Sequence, residues 1–354
     1  MKKQKTMFIA TILMVVAIAF VIQSCSKSAA PAPPGNSAGL KAEIDSATML
    51  YNNTAAGHEA GEYDSTQRVL LNNTITVAKT VLTGSFTQQQ YNNSVSNIKR
   101  VIASYQSSII EDVSPVNLVA EWKFDGNAND ATGNGHNGTL ISGYIGSSAA
   151  TAVDGGTLPT LVPDRFGRAN MAYHFNNGAT VDVPWSAAFN PQSFTISLWL
   201  SRDGANANNY MVSFDRWNGY KFQLQSGNLL FLTVNTTVSD HDQDDGGPSV
   251  TNPNVWTHVA VSYNAGTEKF YINGALVSTE TFTAGALIPV PSTVDFTIGN
   301  EMAEKDYVLT GNGNDPNQYY GGDYFIGSMS NVRFYNVALT DSQVHSIWSI
   351  ESAP

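Results

Sequence analysis

The stretch Phe194-Thr195-Ile196-Ser197-Leu198-Trp199-Leu200-Ser201 alternates large apolar residues with residues that are mostly polar. A period of two is the mark of a β-strand with one face in a core, because successive Cβ atoms point to opposite faces. Phe194, Ile196, Leu198 and Leu200 therefore belong between two sheets. Thr195, Ser197 and Trp199 belong on the opposite, more polar face, where the Trp199 indole is placed either to stack on a sugar ring or to be covered by a loop as part of a second small core. Short runs of the same kind recur at 118–124, 171–175, 210–215, 220–225 and 229–235, then at 257–263, 269–273, 276–282, 296–299 and 325–335. Gly, Asn and Asp clusters separate them, the rhythm of an all-β sandwich. Asn273-Gly274 suits a two-residue hairpin, since a type I′ turn needs positive φ at both central positions. Thr340-Asp341-Ser342-Gln343 is a capping box that opens a short terminal helix.

Composition agrees. Among 354 residues, 29 are Gly and 14 are Pro, 42% are hydrophobic and only 13% charged, which excludes a coiled coil and a disordered polyelectrolyte. A net charge of −11 leaves no basic stripe to neutralise phosphates, so a nucleic-acid partner is excluded. A single cysteine excludes an intrachain disulfide and a Cys-rich zinc site.

That cysteine lies in an informative place. Lys2, Lys3 and Lys5 precede a run from residue 7 to 22 that is apolar except for Thr11, and the run ends in Val21-Ile22-Gln23-Ser24-Cys25. This is short for a membrane span and suited to a signal peptide. It resembles a bacterial lipobox, which implies cleavage after residue 24, lipidation of Cys25 and attachment to the outer membrane, at the cell surface or on the periplasmic face. Residues 25–39, rich in Ser, Ala, Pro and Gly, read as a flexible tether. Anchoring by a thioether-linked diacylglycerol and an amide-linked chain supplies enough buried methylenes to be stable.

Residues 40–112 change to helical spacing. Leu40, Ile44, Ala47 and Tyr51 form one stripe, Leu71, Ile75, Ala78 and Leu82 a second, and Tyr91, Val95, Ile98, Ile102, Tyr105 and Ile109 a third. Asp64 with Gln67, and Thr87 with Gln90, mark two helix starts. Three antiparallel helices are expected. With its Gly61-Glu62-Tyr63 turn, the segment resembles the FIVAR-type helical modules found beside sugar-binding and glycosidase domains of bacterial surface proteins, which implies a spacer or docking role.

Residues 116–352 resemble the laminin-G-like branch of the concanavalin A-like lectin/glucanase superfamily. The residues that carry the resemblance include Leu118-Val-Ala-Glu-Trp-Lys-Phe124, Phe194-Thr-Ile-Ser-Leu-Trp199, Trp256-Thr-His-Val-Ala260, Phe270-Tyr-Ile-Asn-Gly274 and Phe325-Ile-Gly-Ser-Met-Ser-Asn-Val-Arg-Phe-Tyr335. The resemblance implies a mainly β chain: a jelly-roll sandwich of two curved antiparallel sheets whose concave sheet is the usual binding face, with the small three-helix module ahead of it.

Two acidic stretches suggest a cation. Asp125, Asn127 and Asp130 cluster oxygen donors in a Gly-rich loop, a set that suits calcium, and related domains often hold a structural calcium near this position. Residues 240–245 carry four aspartates, but Asp245 stands where a calcium loop needs glycine. That stretch is expected to be a solvated loop tip or a rim for metal or ligand. No paired-acid strand motif, nucleophile elbow or zinc-histidine motif is present; Glu301, Glu304 and Asp306 are the one close acidic trio near a strand end. The expectation is therefore a lipid-anchored envelope protein that binds a glycan or another extracellular polymer without catalysing a reaction. Candidate contacts besides Trp199 are Tyr210, Arg216, Trp217, Asp242, Tyr319 and Tyr320. A protein-binding or adhesion module, and a glycoside hydrolase or polysaccharide lyase, are the alternatives.

Overall fold

A computed structural model describes residues 34–111, 113, 115–203, 208–250, 252–310, 315–321 and 323–354. Residues 1–33, with the segment read as a signal peptide, Cys25 and the first part of the expected tether, lie outside the described residues. The chain divides into two compact units. One holds the described residues up to Leu50 together with Leu71–Ile102; the other holds Tyr51–Leu70 together with Ala103–Pro354.

Three helices occupy the amino-terminal part, α1 at Ala38–Asn52, α2 at Ser65–Leu82 and α3 at Gln88–Gln106. Within the first unit the stripes read from the sequence supply most of the buried residues, while Leu82, Val95 and Ile102 are only half-buried and Val101 is buried in place of Ile102. Leu40, Ile44 and Ala47 on α1, Leu71, Ile75 and Ala78 on α2, and Tyr91 and Ile98 on α3 are all at most 4% exposed. At the start of α3 the Thr87 N–H donates to Gln90 Oε1 at 2.9 Å and the Gln90 N–H to Thr87 Oγ1 at 3.4 Å, the reciprocal bonds of a capping box.

The second unit is dominated by a sandwich of two antiparallel sheets, the jelly-roll-like architecture expected. The eight-stranded sheet runs, in spatial order, Ala275–Thr281, Thr267–Ile272, Thr257–Asn264, Ser193–Arg202, Gly327–Tyr335, Ala172–Phe175 and Thr160–Val162, with Leu118–Trp122 also paired to Gly327–Tyr335. The seven-stranded sheet runs Asp240–Asp244, Leu229–Asn235, Tyr220–Gln225, Asn209–Phe214, Phe296–Ile298, Thr180–Val183 and Thr139–Ile141. The turn at Asn273 (φ 49°) and Gly274 (φ 72°) joins Ile272 to its partner Ala275, the two-residue hairpin that was expected.

Alternation decides the core. Phe194, Ile196, Leu198 and Leu200 are fully buried between the sheets, beside Val212, Phe214, Phe222 and Leu232 from the facing sheet. Phe189 and Phe296 stack with ring centroids 4.6 Å apart, and Phe194 and Tyr220 at 4.7 Å. Such pairs add about 0.5–1.5 kcal/mol beyond area burial.

The opposite face of the eight-stranded sheet is covered too. Helix α4, Asp341–Glu351, is capped by the Thr340–Gln343 box and packs Val344 and Ile347 against Ala260, Tyr271 and Tyr335 as a second small core. This corrects the reading of Trp199 as a sugar contact. Its side chain does point away from the main core, but it is 6% exposed, donates its indole N–H to Glu351 Oε2 at 2.7 Å and lies under the Arg165 guanidinium at 4.5 Å. Trp199 is a helix-docking residue, not a platform for sugar. A second correction concerns residues 240–245. Asp240–Asp244 is the edge strand of the seven-stranded sheet, not a loop. Its alternating aspartates are a period-two pattern, and charge on an edge strand discourages pairing with another chain.

Candidate functional site

The register of the seven-stranded sheet brings one polar residue from every strand into a single row. Thr139 pairs with Asp182, Asp182 with Thr297, Thr297 with Ser213, Ser213 with Lys221, Lys221 with Thr233 and Thr233 with Asp242. The flanking rows Val183–Phe296–Phe214–Tyr220 and Val181–Ile298–Val212–Phe222 face the core, so this row faces outward. An outer polar face is ordinary in an antiparallel sheet. Here, however, Ser213, Thr233 and Thr297 are fully buried and Lys221 is 8% exposed, so other parts of the chain roof much of the row.

Lys221 is its centre. Its ammonium donates to the Tyr210 hydroxyl at 3.0 Å and lies 5.0, 5.5 and 5.7 Å from the ring centroids of Tyr210, Trp217 and Phe231. Burial pushes the Lys221 pKa below its ordinary value, while Asp242, Glu301 and Asp323 pull it back up. Gln223, two residues along and so on the same face, is 2% exposed and leaves its Oε1 without a hydrogen-bond partner. Asp242, exposed on the edge strand, accepts a hydrogen bond from Thr233 Oγ1.

The aromatic margin is built by a strained turn. Asp215 (φ 62°) and Arg216 (φ 42°) are both left-handed, a conformation that costs a non-glycine residue of order 1–3 kcal/mol and is found where the surroundings enforce it. The enforcement is visible: Arg216 is fully buried, 3.0 Å from Glu301 Oε1, and donates to the carbonyls of Pro316 and Gln318 at 3.1 and 2.7 Å. Next to it Trp217 sits partly exposed, its ring centroid 5.8 Å from that of Tyr320. The Arg216 guanidinium lies 4.3 Å from the first ring and 5.4 Å from the second. Burial pushes Glu301 up to about 7 against the pull of Arg216.

The structure thus gathers Tyr210, Arg216, Trp217, Asp242 and Tyr320 about one face. Trp217, Asp242 and Tyr320 reach solvent, whereas Tyr210 and Arg216 are framework beneath them. Tyr319 is framework as well, 2% exposed, with its hydroxyl donating to Gly146 O at 3.0 Å. Lys221, Gln223 and Phe231 were missed. The alternation of Tyr220-Lys221-Phe222-Gln223-Leu224 would have placed both polar residues on the outer face.

The acidic trio does not converge. Glu301 is bound to Arg216 and receives the Tyr307 hydroxyl at 3.0 Å, while Asp306 Oδ2 accepts the Asp295 N–H at 2.9 Å. Lys305 bridges Asp182 and Asp295, and burial together with Asp295 raises Asp182 to about 6.

The loop at 125–137 organises itself. Asp130 Oδ1 accepts the N–H groups of Glu121 and Thr132 and the Thr132 hydroxyl, at 3.2, 3.0 and 2.7 Å; Oδ2 accepts the His136 N–H at 3.1 Å. Burial would raise its pKa, but these bonds outweigh it and hold the carboxyl below its ordinary value. Asn127 Oδ1 closes a turn by accepting the Asn129 N–H at 2.8 Å. Three donors thus crowd Asp130 Oδ1 and one meets Oδ2. The oxygens of Asn127 and Asp130 are therefore engaged within the loop itself, which gives the calcium reading of Asp125, Asn127 and Asp130 no support. Among the described residues no three His, Cys, Asp or Glu side chains are grouped to hold a metal.

No curated protein matches the sequence at a significant level. Similar solved structures include domain 4 of AbnA, a GH43 extracellular arabinanase from Geobacillus stearothermophilus, in complex with arabinotriose. It is 22% identical at a TM-score of 0.44, over 65% of this chain and 98% of that one. The botulinum neurotoxin type G receptor-binding domain is 12% identical at a TM-score of 0.44, over 66% and 51%. The binding domain of Paraclostridial mosquitocidal protein 1 is 17% identical at 0.44, over 66% and 52%. This chain thus spans about half the length of those two toxin chains. Residues 175–345, within the sandwich, match the family model Laminin_G_3 of the concanavalin A-like lectin/glucanases superfamily.

Proposed function

We propose that the outer face of the seven-stranded sheet binds a glycan without cleaving it, on a protein held at the outer membrane by lipid on Cys25. The observation that carries this reading is the Trp217–Tyr320 pair, two adjacent rings fixed over a buried guanidinium at the margin of a polar row. Rigid aromatic faces beside hydroxyl, amide and carboxylate groups are what a sugar ring needs, stacking on its C–H face while its hydroxyls find partners. Fixing the rings in advance also reduces the ordering cost of binding. Hydrolysis of a glycosidic bond needs two carboxyl groups about 5–10 Å apart across it. The engagement of Glu301 by Arg216 and Tyr307 supports recognition rather than cleavage. The lipobox-like sequence before Cys25 supports the anchoring.

Affinity electrophoresis in polysaccharide-containing gels tests the binding reading. The wild-type protein is expected to be retarded by at least one polymer, and the Trp217→Ala/Tyr320→Ala variant to run freely. Equal retardation of both would refute the assigned face. Acyl-chain labelling in cells, lost in Cys25→Ser, tests the anchor.

A further inference from the structure

We infer that the ligand of this face is an uncharged glycan, and that polymers bearing carboxylate or sulfate groups are rejected. The inference rests on the glycan-binding reading and narrows it.

Two cations stand at the aromatic end of the site, Arg216 and Lys221, and both are turned inward. Arg216 is fully buried, and its guanidinium is taken up by Glu301 and by the carbonyls of Pro316 and Gln318. Lys221 points its ammonium at the Tyr210 hydroxyl from among three ring faces, each within 5.7 Å. A cation lodged against aromatic faces is already stabilised by their quadrupoles. Neither group is left to meet an anion at the surface.

The charges that reach solvent near Lys221 are of the other sign. Asp242 is exposed on the edge strand, and Asp323 is half-buried beside Asn208, whose amide donates to it at 3.3 Å. An anionic chain approaching Lys221 and the aromatic pair meets like charge, and Lys305, exposed farther along the row, is already held between Asp182 and Asp295. The net charge of −11 adds repulsion at longer range. For a neutral sugar the same groups are favourable. Its hydroxyls are donors, and carboxylates are the strongest acceptors for them.

The test is native electrophoresis of the full-length protein through gels containing a neutral β-glucan, a neutral mannan, polygalacturonate or a sulfated galactan, each at low and high salt. Retention by a neutral polymer, unchanged by salt, with free passage through both anionic ones, is the expected result. Retention by polygalacturonate or the sulfated galactan that high salt abolishes would overturn the inference while leaving glycan binding standing. Free passage through all four gels would overturn the binding reading itself, and the inference with it. Asp242→Lys is expected to gain retention on polygalacturonate at low salt; continued exclusion would contradict rejection by charge.

Discussion

Trp199 gives its indole N–H to Glu351, the last residue of helix α4, and its face to Arg165, which donates to the Glu351 carbonyl. Phenylalanine there keeps most of the packing and leaves a buried carboxylate one donor short. Trp199→Phe should cost about 1–3 kcal/mol in urea denaturation and leave polysaccharide retention unchanged. Glu301 makes a pH prediction. Its folded pKa, near 7, lies above the ordinary glutamate value, so the native state binds its proton more tightly than the unfolded state does. Its contribution to stability is therefore fully present below the ordinary value and is lost as pH rises towards 7. Glutamine cannot lose a proton, so the melting-temperature penalty of Glu301→Gln should shrink between pH 5 and pH 8. A penalty that grows over that range would contradict a raised pKa.

At the scale of elements, the loop 125–137 depends on Asp130. Removing a buried acceptor that serves four donors should cost about 3 kcal/mol or more, read as a lower melting temperature of Asp130→Ala. Chelation with EDTA should leave the wild-type transition where it is, and a fall on chelation would restore a cation to this loop. Long strands were legible in the sequence because their alternation runs for six residues or more, as in 193–202 and 229–235. Thr139–Ile141, Val153–Asp154 and Thr160–Val162 were not, since two or three residues cannot display a period. Asp240–Asp244 was misread because aspartate is disfavoured in strands and its composition outweighed its alternation. Trp199 was assigned to the correct face but not to one environment, because alternation says which side a residue takes but not what covers it. The binding face was legible only in part. Trp217 and Tyr320 are far apart in sequence, and it is Arg216, bonded to Glu301 and to two carbonyls near residue 317, that brings their loops together.

For the molecule as a whole, the central claim is that recognition takes place on one outer face of the two-sheet sandwich. The covered face of the other sheet and the amino-terminal helices are assigned no part in it. Amide hydrogen exchange, measured with and without a retained polysaccharide, reads this directly. Protection is expected in the Arg216–Asn218 turn, in the strands Tyr220–Gln225 and Asp240–Asp244, and around Tyr320. Protection confined to helix α4, to the eight-stranded sheet or to the helices α1–α3 would contradict the account.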